Sequence, residues 1–341
     1  MNLLLVHPTA KESKDVENHL WMQTSYAFIS SYKQRIAVLD RAIQNNQRQQ
    51  QQQQQQQPQR QNNHGPVEYR KLTQRFRQFL ADEDKFWTQL ILRLYRLFNL
   101  HEAQPALYVI GILGRTDDVV PPTSAAVGPI IEIRDGAMHG SNGRNHFQFP
   151  PEDPAVSFAP TTPEERATWM AILTKAVVCL GDIARYRELY NESGGRPRAG
   201  HEDGSTRRGR NRRGGAAADA FSRQRTYEKA QLCYEQARLL VPYEGNPSHQ
   251  LAILASYKKD SFVSLVHYYR ALCVRQPYDT AAENLGTVLT KALDLWRQRT
   301  RRGEKHVDTP LAPRVRIEAF KEKVVVLHAL WRVGLDKGIE K

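Results

Sequence analysis

The chain has 341 residues, 40% of them hydrophobic, with 49 Lys and Arg against 36 Asp and Glu and a net charge of +13. That length suits two domains or one elongated one, and the apolar share is ample for a core. The three cysteines, Cys179, Cys233 and Cys273, lie far apart with no CxxC or Cys/His spacing. This excludes a zinc site and reads as buried free thiols in a reducing compartment.

In chain order the ordered segments read as helix. Over 15–43 the residues Leu20, Trp21, Tyr26, Ile29, Tyr32, Ile36 and Leu39 recur at three- and four-residue steps. The preceding 3-LLLV-6 is too short for a signal peptide. No apolar run is read as reaching bilayer-spanning length, so the expectation is a soluble intracellular protein with no membrane partner. A Gln-rich insert over 44–66 is expected to be disordered, since it cannot bury enough apolar area to offset its ordering entropy. Residues 68–100 form a second helix with a Phe76, Phe79, Phe86, Leu90, Leu94, Phe98 stripe, with a break expected near 82-DED-84.

Proline-punctuated residues 101–162 read as irregular, with 107-LYVIGIL-113 and 130-IIEIR-134 as short strands or loop cover. Thr162-Pro163-Glu164-Glu165 is a helix start: a capping Thr, Pro at the first helical position, then acids near the positive end of the dipole. That helix runs to about Tyr190. An Arg/Gly-rich segment over 193–220, also expected to be disordered, holds much of the basic excess, including Arg196, Arg198, Arg207, Arg208, Arg210, Arg212 and Arg213. Such a run attracts phosphate backbones without sequence preference, serves as an import patch, or is a solvated linker.

Beyond it the chain repeats. Tyr234 and Tyr268, and Ala237 and Ala271, stand 34 residues apart, with Pro242 and Pro277 in nearly the same phase. A 34-residue period of helix pairs, small Ala at the crossings and Pro after the second helix, is the tetratricopeptide signature. Residues 248–258 and 281–297 are then first helices; 223–240 and 261–274 are second helices. The helix 163–190 starts the preceding unit, with the Arg-rich insert in its turn. Tyr227, Tyr234, Tyr268 and Tyr269 read as repeat core. A last helix over 314–341 either packs back on this array or is followed by further helices in a longer protein.

The stretch 181-GDIARY-186 concentrates charge on an otherwise apolar helix. Arg185 is either an ion-pair partner of Asp182, three residues before it, or an anion-binding group. Arg187 reads as surface. No GxGxxG, P-loop, HExxH, GxSxG or paired-carboxylate motif is present, so neither an enzyme nor a cofactor is expected.

Read together, CLGDIARYR (179–187), LLVPYEGNPSHQLAILASYKKD (239–260), VHYYRALCVRQP (266–277) and AAENL (281–285) resemble the telomerase-activating (ever shorter telomeres) and nonsense-mediated mRNA decay factor family. The resemblance covers about 15–330, between the inserts. It implies an all-α protein: a 14-3-3-like helical array with tetratricopeptide-type pairs over 1–300, then the beginning of a C-terminal helical hairpin region over 301–341. It also implies a non-enzymatic adaptor in mRNA surveillance, nuclear and cytoplasmic, that binds phosphoserine peptides of decay factors such as a phosphorylated RNA helicase, along with related family members. The carried-over phosphopeptide residues are Arg185 and Tyr186, with Lys33 from 32-YKQRI-36 as the second cation and Arg35 as its alternative. Where the family has an Asn before Gln-Leu-Ala this chain has His249, leaving Asn246 and Gln250 as the peptide-binding candidates. The competing expectation is an RNA, telomerase-RNA or single-stranded DNA binder using the groove and Arg207, Arg208, Arg210, Arg212 and Arg213. A third is a repeat scaffold with an unmodified peptide ligand.

Overall fold

The computed structural model describes residues 2–8, 10–13, 15–53, 64–114, 149, 158–191, 225–302 and 312–339, and these are all-α. A short α1 (Asn2–Val6) packs Leu4 and Leu5 into the central core. Helix α2 (Val16–Leu20) passes through a π-helical turn, Trp21–Ser25, into α3 (Tyr26–Gln53). The expected Gln-rich insert therefore starts later than 44. Gln is a good helix former, Ile43 is buried, and Gln44 donates to Asp40 Oδ2 at 2.6 Å, so the helix propagates through Gln53. Residues 54–63 lie outside the described residues.

Helix α4 (His64–Leu97) is continuous, against the expected break at 82-DED-84. Its acids tie helices together instead. Glu83 accepts from Ser25 Oγ at 2.6 Å and from Trp87 Nε1 at 3.1 Å, and Asp84 pairs with Arg187 and Lys229 at 2.7 and 2.8 Å. The segment 107–113, read as a short strand or loop cover, is α5 (Gln104–Val109) and a turn. Pro105 stands in its first turn, and Ala106 and Leu107 are buried. The expected strand at 130–134 lies outside the described residues.

Helix α6 (Pro163–Leu189) starts as its sequence signals. Thr162 Oγ1 accepts from Glu165 N at 3.1 Å, and Glu165 Oε2 accepts from Thr161 N at 2.9 Å and Thr162 N at 3.4 Å, a capping box. Every residue from 176 to 186 is buried. A helix apolar all round is a core helix. By length and composition α6 does reach what a bilayer span needs, correcting the expectation that no run would, but 67% of that stretch is buried inside the fold.

Helix α7 (Glu228–Leu240) packs on α6 as its antiparallel partner, with the Arg-rich insert between them. Helices α8 (Asn246–Tyr257) and α9 (Ser261–Leu272) form the next pair, and α10 (Thr280–Arg301) and α11 (Pro313–Ile339) the last. Ala237 and Ala271 are fully buried at the helix crossings the repeat anticipates. Successive turns zip together: Gly245 N donates to Gln276 O and Gln276 N to Tyr243 O, both at 2.9 Å. A Cβ on Gly245 would press into the Ala271 carbonyl, so only glycine lets the turns approach this closely.

Three apolar clusters run along the array. Ile29, Ile36, Phe76 and Leu80 meet the C-terminal end of α6; the central core spans α4 to α8; the last lies between α8 and α11. Helix α11 thus packs back on α9 and α10. Cys179 and Cys233 are buried free thiols as expected. Cys273 is exposed, because it caps α9 after the last buried turn. Tyr227, Tyr234 and Tyr268 are buried core, while Tyr269 is half-buried with its hydroxyl 3.0 Å from His328 Nδ1.

Candidate functional site

Lys175, Asp182 and Tyr186 recur at seven- and four-residue steps, placing them on one stripe of α6 with Arg185 at its edge. Gly181 governs what lies across from them. A Cβ there would sit 2.6 Å from Tyr234 Cε1 and 3.0 Å from Cys233 Cβ, so its absence lets α7 lie directly against α6. The Tyr234 hydroxyl then donates to Asp182 Oδ1 at 2.7 Å.

Arg185 is 7% exposed and built into this network. Nη2 pairs with Asp182 Oδ1 at 3.1 Å, Nε donates to Tyr234 Oη at 3.3 Å, and Nη1 donates to Tyr257 Oη at 3.2 Å. Among the described residues, three of the five guanidinium N–H donors are engaged and two are not. Burial works against its charge, but the surrounding tyrosine oxygens and Asp182 outweigh that, so Arg185 stays protonated. Burial, and secondarily the Asp182 charge, pushes the Tyr234 phenol up, so it remains a neutral donor.

Two cations lie over the ring of Tyr186. The Arg185 guanidinium lies 4.5 Å from its centroid, and Lys33 Nζ, arriving from α3, lies 5.3 Å from it. Both are cation–π distances. The two cationic heads are therefore closer together than the sum of those lengths, although Lys33 and Arg185 are 152 positions apart in sequence. Lys33 is half-buried and Arg185 buried. Asp182 offsets the Arg185 charge, and the Lys33 ammonium faces the same aromatic ring. The stripe is not uniformly basic, because Lys175 on it pairs with the buried Glu17 at 3.0 Å.

His249 borders Arg185 from α8. It is 3% exposed, with Tyr278 at 4.7 Å and Tyr268 at 5.7 Å between ring centroids. Burial, with the Arg185 charge adding to it, pushes the imidazole down to about 4. At neutral pH it is an uncharged ring. Gln250 is buried beside it and donates to Asn246 Oδ1 at 3.3 Å, so these two weaker candidates hold each other. Arg35 is exposed, two residues from Lys33 and turned away from it on α3. Arg187 points away from the network to Asp84. The five arginines proposed for RNA, at 207, 208, 210, 212 and 213, lie outside the described residues.

The sequence model described as "Telomerase activating protein Est1" matches residues 15–191, over half of the chain, and spans this α3–α6 meeting point. The chain belongs to the Est1 family. The model described as "Est1 DNA/RNA binding domain" matches 230–330, from α7 into α11 of this Est1-family chain. Among similar proteins, nonsense-mediated mRNA decay factor SMG7 of Arabidopsis thaliana is 37% identical over 111 residues, covering 33% of this chain and 8% of that protein. SMG7 of Danio rerio is 42% identical over 66 residues, covering 19% and 6%. Telomerase-binding protein EST1A of Danio rerio is 30% identical over 118 residues, covering 35% and 6%. The chain thus matches less than a tenth of the length of each of these relatives.

Sequence reasoning paired Arg185 with Asp182 but missed Tyr234, Tyr257 and His249 as its surroundings. Tyr234 carried only its 34-residue phase with Tyr268; that it fills the space across from Gly181 is set by α6–α7 packing. His249 stood out as a departure from the resembled family, but the place of Tyr257 and His249 near Arg185 depends on how α8 stacks on α7.

Proposed function

We propose that this Est1-family chain is a non-enzymatic adaptor of nonsense-mediated mRNA decay or telomerase association, acting in nucleus and cytoplasm. In this reading it binds phosphoserine peptides of decay factors, such as a phosphorylated RNA helicase, at Arg185, Tyr186 and Lys33. The observation that carries it is the convergence of Lys33 and Arg185 on the Tyr186 ring from two distant helices. A phosphoserine brings about −1.5 to −2 charges and three acceptor oxygens. The two remaining Arg185 donors suit paired oxygens of such a group, and the Lys33 ammonium supplies a point charge beside them. Asp182, Tyr234 and Tyr257 hold the guanidinium in one orientation, so little of its rotamer freedom is left to lose on binding. Asn246 and Gln250 at the start of α8 would meet the peptide flank.

The test is titration of a phosphoserine peptide from a decay helicase against its unphosphorylated twin, by calorimetry or anisotropy. Preference for the phosphorylated form, reduced in Lys33→Glu and Arg185→Glu, is the expected outcome. Lys33 is half-exposed, so its variant keeps the fold if burial of Arg185 makes the second one unstable. Equal affinity for the two peptides would sink the reading.

A nucleic-acid partner is a second reading, favoured by the match of 230–330 to a DNA/RNA-binding domain. It moves the interface from the basic insert to α7–α11. RNA affinity that survives deletion of 196–213 but falls steeply with salt would support it.

A further inference from the structure

Helices α7 and α9, successive second helices of the array, each carry an arginine in their last turn that the fold does not use. The buried side of α7 is Ala230, Cys233, Tyr234 and Ala237, and that of α9 is Ser264, Leu265, Tyr268 and Ala271. At about 100° per residue, Arg238 stands roughly a quarter-turn to one side of the first set, and His267 roughly a quarter-turn to the other side of the second. Two helices that run the same way in a repeat stack turn such flanks toward each other. Arg270, three residues after His267, shares its side of α9 farther out.

The imidazole registers this arrangement. Burial, then the Arg270 charge of its own helix and the Arg238 charge of α7, push His267 down, while Glu235 of α7 works the other way. Arg238 and His267 are half-buried and Arg270 is exposed. Among the described residues neither arginine has an ion pair or a hydrogen bond, and the occluded Arg238 Nε and His267 Nδ1 have no partner. Glu235 accepts from Gln231 Nε2 at 2.8 Å and pairs with neither arginine. A buried polar atom left without a partner calls for an explanation. Two guanidinium groups and an imidazole against one carboxylate form a donor set for phosphate oxygens.

The placement favours a chain of phosphates over a single one. The cations sit on two successive helices, along a furrow rather than around a pocket. A furrow between helices suits a flexible strand better than a rigid duplex, which is read by elements that project into its grooves. All three residues also fall within 230–330, the range matched by the DNA/RNA-binding model.

We propose that the furrow between α7 and α9 holds the phosphodiester backbone of a single-stranded nucleic acid, with Arg238 and Arg270 on its phosphates and His267 beside them. This rests on the nucleic-acid reading above and gives it a site. The bound phosphates offset the arginine charges that keep His267 neutral, so binding takes up a proton there.

The test is anisotropy titration of labelled oligouridine and oligothymidine over a range of salt, on the full chain and on the chain lacking 196–213. Arg238→Gln and Arg270→Gln should each make the slope of log affinity against log salt shallower by about 0.7–1, in both forms of the chain. Arg270 is exposed, so its variant keeps the fold if that of the half-buried Arg238 does not. Between about pH 7.5 and pH 6 the affinity should rise roughly two- to tenfold, and His267→Gln should remove that gain, since a phosphodiester itself does not titrate there. Binding that survives loss of 196–213 with a slope unchanged in both arginine variants would overturn this site and leave the nucleic-acid reading standing. No binding once 196–213 is removed would overturn both. A phosphoserine peptide whose affinity falls in the two arginine variants, while that of the strands does not, would also overturn the proposal.

Discussion

Gly181→Ala is the smallest change that tests how the Arg185 network is built. In an open helix, Gly to Ala stabilises by about 1 kcal/mol through backbone entropy. At Gly181 the added carbon would lie 2.6 Å from Tyr234 Cε1 and 3.0 Å from Tyr234 Cδ1 and Cys233 Cβ. Tyr234 cannot swing aside, since it is fully buried and its hydroxyl is tied to Asp182 at 2.7 Å and to Arg185 at 3.3 Å. Either α7 moves out or the ring leaves its bonds. Overpacking costs about 1–3 kcal/mol, and a lost hydrogen bond to a charged group about 1.5–3 kcal/mol more. After the helix-propensity gain the net destabilisation is about 1.5–5 kcal/mol.

The control is Gly286→Ala in α10. There the nearest atoms, 2.9–3.1 Å away, are all in the guanidinium of the exposed Arg332, which can rotate off. That variant should be neutral or up to about 1 kcal/mol more stable. Urea denaturation followed by far-UV circular dichroism reads both. A Gly181→Ala variant as stable as Gly286→Ala would refute the reasoning that close α6–α7 contact positions the network.

Tyr257→Phe removes one of three partners of the Arg185 guanidinium while keeping the ring against Tyr227, so it should cost about 1–2 kcal/mol of stability and weaken phosphopeptide binding. Unchanged values in both urea denaturation and peptide titration would count against a positioning role. His249 gives a pH dependence. Its imidazole is held near 4 in the fold against 6.5 ordinarily, so between those values the unfolded chain binds more protons than the folded one. Its contribution is therefore intact above 6.5 and lost as pH falls toward 4, by about 3 kcal/mol. Glu83 and Glu244, raised by burial, act in the opposite sense. The measurement is therefore the difference in urea stability between the native chain and His249→Asn at pH 7 and pH 4.5; a pH-independent difference contradicts the assignment. Thiol labelling with a maleimide should modify the exposed Cys273 at once and Cys179 and Cys233 only on unfolding, because burial excludes reagent and pushes both buried thiols up, Cys233 to about 12.

Much of the architecture was legible because it rests on local chemistry. The capping box at Thr162, the 34-residue phase of Tyr234 with Tyr268, and the alanines at helix crossings are set by residues near one another in the chain. The errors share a cause. The Gln tract reads as disorder by composition, yet a growing helix extends through it once its earlier turns are packed. The 82-DED-84 cluster reads as a break because three of its partners, Ser25, Arg187 and Lys229, are far away in sequence.

The sequence by itself determined that the chain is helical, that it repeats, and that 181-GDIARY-186 carries a charge group a buried helix does not ordinarily hold. Only the tertiary structure decided what surrounds that group. Asp182 lies one turn from Arg185 on the same helix, so their ion pair could be read from spacing. Tyr234, Tyr257 and Lys33 reach the same few ångströms from α7, α8 and α3. Their convergence depends on helix packing, which hydrophobic periodicity along one helix does not encode.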